Sequence, residues 1–325
     1  MAEYKAIRGH TIRTIAGDPS VLQTGDIWYS STTRKIRGAK IAAGAWSTGG
    51  NLNEARWVMA SAGTLTAALN ISGNVASPDG QGSVNVESYD GSSWTEIANI
   101  NTANEYLTGH GSATAAHKVG GFNSPPTATE TWDNSSWTEV GDINTGRGNF
   151  ASAGTTTAGI CFGGNPYRDE TETWNGTSWT EVGDLNTGGQ ALAAAGTATA
   201  AMAIRGRNSS NPVGRGTELF NGTSWTEITD SNTARQFLSA GGTSTSTLAY
   251  GGDAPGASAL TESYDGSSWT EVADLATARG WGGSTPANGT GSNASAIMFG
   301  GNPTGSVATE EWDGAPVAAS SFTSS

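Results

Sequence analysis

Three histidines, one cysteine and a set of evenly spaced carboxylates are the residues of this 325-residue chain that could do chemistry. A metal site needs several convergent donors. His10 lies near the N-terminus and His110 and His117 fall within one short stretch, so the histidines do not supply them. Cys161, in "GICFGG", reads as a small buried hydrophobe inside a strand, and a lone cysteine excludes an internal disulfide framework. Glu87, Glu130, Glu172, Glu218 and Glu262 recur at a fixed distance before a tryptophan. A catalytic carboxylate pair need occur only once, so a glutamate repeated throughout the chain reads as a structural device. These residues point away from an enzyme, and no cofactor is expected.

The elements that carry these residues are repeats. Trp94, Trp137, Trp179, Trp225 and Trp269 mark a period of roughly 40–50 residues, as solenoids and propellers show. An aromatic residue precedes each at one spacing: Tyr89, Trp132, Trp174, Phe220 and Tyr264. Between the two stand pairs such as Asp90-Gly91 and Asn175-Gly176, which tolerate the positive φ of a tight hairpin. Asn101, Asn144, Asn186 and Asn232 follow their tryptophans in register, with Ala276 in the fifth copy. Glycine-rich strand ends come next, at Gly120-Gly121, Gly163-Gly164, Arg205-Gly206, Gly251-Gly252 and, after an insertion, Gly300-Gly301.

Trp46 fits the same ruler: Asn53 and Arg56 follow it as their counterparts follow the other markers, Arg56 matching Arg147, Arg235 and Arg279. It lacks the "ESYDG" strand before it, whereas the last copy, "ATEEWDG", lacks the tryptophan strand after it. The two fragments complete one another. Linear stacks leave exposed edges that a ring removes. The expectation is therefore an all-β, six-bladed β-propeller over residues 41–314, its sixth blade closed by the strand around Trp46. The six marker tryptophans are expected in the core. The pattern of double glycine, E-x-aromatic strand and tryptophan resembles the kelch repeat, which implies an architecture and leaves function open. Its Ala/Thr-rich filling, as in "AGTTTAGICFGG", looks like repeat proteins of marine tailed phages.

That resemblance brings two chemistries to weigh. A copper oxidase of the kelch-type class would need a Tyr/His/Cys cluster, for which there are too few such residues. "SYDGSSW" nearly matches the Asp-box of sialidases but is one residue short, and Arg56, Arg147, Arg235 and Arg279 share one repeat position rather than forming a carboxylate-binding cluster. A hairpin role is expected for the motif.

Residues 1–40 form an N-terminal arm and residues 315–325 a C-terminal tail. The arm carries seven Lys/Arg against three acids, and the remainder nine against twenty-six, giving +4 and −17 for the total of −13. An acidic body of this kind repels nucleic acid and anionic membranes. No apolar run approaches a membrane span and no signal-peptide stretch opens the chain. "QTGDIWYSSTTRKIRGAKI", Gln23 to Ile41, reads as a β-hairpin. It resembles short segments near the start of phage tail-fibre and virion-surface proteins, which implies attachment to other virion proteins, tail or capsid, through residues 1–40.

In alternating strands both chain ends would leave the ring on one face, and the loops joining second to third strands would vary on the other, where repeat proteins commonly bind. The candidate anchors there are Phe122, Tyr167, Arg168, Arg207 and Arg215, aromatic and arginine side chains being typical of recognition sites. The expected function is a phage tail-fibre or receptor-binding protein, made in the host cytoplasm and carried on the virion, that recognises a host surface glycan or protein. The alternative is a capsid-decorating or tail-assembly subunit, and a polysaccharide-acting enzyme comes third. Other copies of the chain are candidate partners.

Overall fold

The computed structural model describes residues 13–17, 26–41, 44–75, 82–123, 125–204, 206–285, 293–302, 305–314 and 317–321. His10, Arg205 and the middles of "GNVASPDGQGSVN" and "GGSTPANGTGSNAS" lie outside the described residues. The described residues are strands, turns and irregular segments with no helix. The chain divides into two units, Ala45–Asp313 and a smaller one formed by Met1–Gly44 with Gly314–Ser325.

In the smaller unit Ile27–Ser30 and Lys35–Ile41 form the antiparallel hairpin of the arm, with Ile27 opposite Gly38. Arg13–Ile15 adds in parallel on one side, and Val317–Ser321 adds antiparallel on the other. The C-terminal segment is thus a fourth strand of the arm's sheet, with Ser321 opposite Arg37.

The larger unit is all-β and β-propeller-like. Its described residues contain four-stranded antiparallel sheets of one recurring order. The third sheet is representative: Ala151–Thr155, Ala158–Phe162, Thr171–Trp174 and Trp179–Glu181, each strand hydrogen-bonded to the next. The composition dictates the taper. The first two strands are rich in Ala and Gly, so neighbouring sheets approach closely there, and first strands pack side by side from sheet to sheet. Tyrosine and tryptophan enter mainly from the third and fourth strands, joined by Phe162, Tyr250 and Phe299 at the ends of second strands, to fill the larger volumes where sheets diverge.

Ala45–Thr48 lies beside Thr309–Asp313, with Trp46 opposite Trp312 and Ala45 opposite Asp313. Gly283–Thr285 and Ser295–Phe299 complete that sheet. Trp94, Trp137, Trp179, Trp225 and Trp269 are buried and Trp46 is half-buried, each in an apolar cluster between adjacent sheets. Several reach the preceding sheet with the indole N–H: Trp225 Nε1 donates to Thr171 Oγ1 at 3.0 Å, Trp94 Nε1 to Thr309 Oγ1 at 3.0 Å and Trp46 Nε1 to Thr261 Oγ1 at 3.1 Å.

The repeated glutamates are the polar counterpart of these contacts. Glu262 Oε1 accepts from Arg235 Nη2 at 2.8 Å while its Oε2 accepts from the Asn232 backbone N–H at 2.6 Å. Arg279 meets Glu310 in the same way at 2.8 Å, and Arg56–Glu87 and Arg147–Glu172 are equivalent pairs. Each arginine also donates Nη1 to backbone carbonyls, so these buried charges are compensated on several sides. Where Asn104 replaces the arginine, Lys118 enters from the second strand to lie 3.8 Å from Glu130.

Candidate binding site at the axial mouth

Six residues, each twelve places after a marker tryptophan, meet where the first strands converge: Val58, Tyr106, Asn149, Ala191, Phe237 and Trp281. Each donates its backbone N–H to the carbonyl of the one before it. Tyr106 donates to Val58 at 3.0 Å, Asn149 to Tyr106 at 2.9 Å, Ala191 to Asn149 at 2.8 Å, Phe237 to Ala191 at 3.2 Å and Trp281 to Phe237 at 3.0 Å. Val58 donates to Trp281 at 2.8 Å, which returns the series to its start.

All six have φ between 52° and 66°. That left-handed region suits glycine and costs other residues roughly 1–2 kcal/mol each. The hydrogen bonds hold the backbone there. None of the six is glycine, so each carries a side chain to the axis.

A cavity of about 130 Å³ lies between the first strands, and a mouth of about 320 Å³ shares Tyr106, Asn149, Phe237 and Trp281 with it. The backbone of the mouth repeats, but its side chains do not. Phe237 and Trp281 stack with ring centroids 3.7 Å apart and planes 20° from parallel. Tyr106 presents its ring edge-on to Trp281 at 5.9 Å and packs against Phe122 at 4.8 Å. Together they make an aromatic crescent along one side.

The opposite side is amide and cation. With its carboxamide oriented to satisfy its neighbours, Gln190 accepts Arg207 Nε at 2.8 Å and Nη2 at 2.9 Å, and donates to Asn165 Oδ1 at 2.9 Å. Arg207 Cζ also lies 5.9 Å from the centre of the Phe237 ring. Gln236 completes this wall, and its buried carboxamide oxygen has no hydrogen-bond partner. Arg207 is the one charged residue among those lining the mouth.

Of the sequence-predicted anchors, Phe122 and Arg207 line the mouth, and Tyr167, Arg168 and Arg215 do not. Arg168 pairs with Glu170 at 2.7 Å. Arg215 lies 3.4 Å from Asp230 with both side chains largely in solvent. Tyr167 is exposed, with a positive φ of 62°. Sequence reasoning missed Tyr106, Phe237 and Trp281. Their signal was available: they share one offset from the marker tryptophan, as Phe122, Asn165 and Arg207 share another immediately after the glycine-rich strand end.

The other chemically capable residues are buried or tied up. His110 Nε2 and His117 Nδ1 are 3.2 Å apart between sheets. Burial pushes His117 down to about 4 and His110 well below the usual imidazole range, the neighbouring His117 adding to the latter. Burial also raises the Cys161 thiol to about 12. Asp90 accepts hydrogen bonds from Ser92 and Ser93, and this hairpin-capping arrangement holds its carboxyl down to about 2. Among the described residues, no three His, Cys, Asp or Glu side chains converge as a metal site would require. The chain matches no protein-family model and no curated protein.

Proposed function

We propose that residues 45–313 form a six-bladed, kelch-like β-propeller closed by the Trp46 strand, and that the chain is a binding protein of a tailed-phage virion. In this reading it is a tail-fibre or receptor-binding component that recognises a host surface glycan or protein. The cycle of axial hydrogen bonds and the Trp46–Trp312 register support the closed ring. The arm's hairpin and its resemblance to virion-surface segments support attachment through residues 1–40.

The observation that carries a recognition role is the uneven mouth: a repeated backbone displays an aromatic crescent facing amides and one arginine. Aromatic and arginine groups gathered in a concave site are the usual anchors of binding. The mouth also lies at the end of the sheets opposite Ala45 and Asp313, through which the chain leaves this unit.

The test is adsorption. Purified full-length chain should compete with intact particles for host cells, and a Trp281→Ala chain of unchanged fold should compete at least tenfold less well. Adsorption that is indifferent to excess wild-type chain would rule out the receptor role and favour a decorating or assembly subunit.

A further inference from the structure

We infer that the mouth takes a carboxylate-bearing sugar ring of a surface polysaccharide, an assignment that rests on the recognition reading above and narrows it to one ligand class. Three features converge on this chemistry. A pyranose has one face of C–H groups, a rim of hydroxyls and, in acidic sugars, a single carboxylate. The Phe237–Trp281 stack, with Tyr106 and Phe122 continuing the crescent, lines the mouth with apolar surface that suits the first of these.

The hydroxyl rim meets carboxamides, which both donate and accept. Asn149, Asn165 and Gln236 line the mouth and supply such groups. The carboxylate meets Arg207, whose guanidinium is held in place by Gln190 through two of its nitrogens. A fixed arginine is preorganised for a carboxylate in a way that a free one is not.

Electrostatics selects this spot. Residues 41–325 are strongly acidic, so an anionic polymer is repelled from most of the surface. The mouth lining has no acid. A volume of about 320 Å³ falls at the small end of ligand pockets, about 300–1,000 Å³, suited to one or two rings rather than a protein loop.

The experiment is calorimetric titration of the full chain with oligogalacturonate, oligoalginate and sialyllactose, alongside methyl-esterified oligogalacturonate and maltohexaose as uncharged probes. At least one acidic saccharide should bind, and its neutral counterpart at least tenfold more weakly. Arg207→Gln should erase that difference, whereas Phe122→Ala, at an exposed position, and Trp281→Ala should weaken every saccharide. Melting curves for each variant separate lost binding from lost fold.

Equal affinity for charged and uncharged probes, or an acid preference untouched by Arg207→Gln, overturns the assignment. So does binding of none of the five while the purified chain still blocks adsorption, a result that keeps the receptor role and gives the mouth a protein ligand. Acid-selective binding with no effect on adsorption leaves the ligand class standing and removes the receptor role.

Discussion

Trp46 and Trp312, from opposite ends of the chain, face one another across an antiparallel strand pair with ring centroids 5.5 Å apart. Trp46 also meets Tyr250 of the adjacent sheet edge-on at 4.9 Å. An N-terminal residue therefore behaves energetically as part of the interior. Trp46→Ala should cost about 3 kcal/mol, toward the low end for buried aromatics because Trp46 keeps some exposure. Deleting residues 45–48 should lower the melting temperature far more than terminal trimming does. A deletion chain that melts with the wild type would sink the shared-sheet account.

The buried ion pairs should respond asymmetrically. Glu262→Gln or Arg235→Met alone strands one buried charge and should cost about 3–5 kcal/mol in denaturant unfolding. The double variant should recover part of that loss, since neither charge then remains uncompensated. Additive losses would show that Arg235 and Glu262 act independently.

Stability should fall on mild acidification. Both His110 and His117 have folded-state pKa values below that of a free imidazole, so the unfolded chain binds more protons in the window beneath about 6.5. The stabilisation is complete above the unfolded value and is lost as pH falls toward about 4, with His117 alone accounting for roughly 3 kcal/mol. Denaturant midpoints measured from pH 7 to 4 should show this slope. A His110→Asn/His117→Asn chain, where it folds, should show a shallower one, and an unchanged slope would assign it to carboxylates.

Cys161, fully buried with its thiol pushed up to about 12, should resist aromatic disulfide reagents at pH 8 until the chain unfolds. Labelling of the native chain on the timescale of a free thiol would contradict its place in the core.

The conformation at the axis gives opposite outcomes for two small substitutions. Ala191→Gly, at φ 56°, removes a left-handed penalty and should leave stability within about 1 kcal/mol of wild type. Gly121→Ala, at φ 123°, puts a methyl onto the Asn104 carboxamide and should cost at least 1–3 kcal/mol, roughly the strain of such a backbone alone. Thermal melts decide both.

Much of the scaffold could be read from the sequence because each repeat restates the same constraints. The E-x-aromatic strand, the Asx-Gly turn and the tryptophan appear at fixed spacing, and Trp46 fits only as the missing partner of the strand containing Trp312. The reason for the repeated glutamate was less visible. Its partner arginine lies in the connection from the preceding sheet, so the pairing is fixed by packing rather than by local pattern. Lys118 was harder still, since it reaches Glu130 from a different strand.

The mouth was half legible. Phe122 and Arg207 stood out as bulky residues in loops of variable length. Tyr106, Phe237 and Trp281 were hidden because a large residue at positive φ runs against local preference, and only the neighbouring loops' carbonyls make that conformation tenable. Arg215 and Arg168 lie beside carboxylates and outside the mouth.

The axial cycle uses main-chain atoms alone. Whatever occupies positions 58, 106, 149, 191, 237 and 281 is therefore displayed by a frame whose bonding ignores side-chain identity, as the coexistence of Val, Asn, Ala and three aromatics there already shows. Such a frame works like a six-slot typecase: letters can be exchanged one at a time, while the press that holds them stays unchanged.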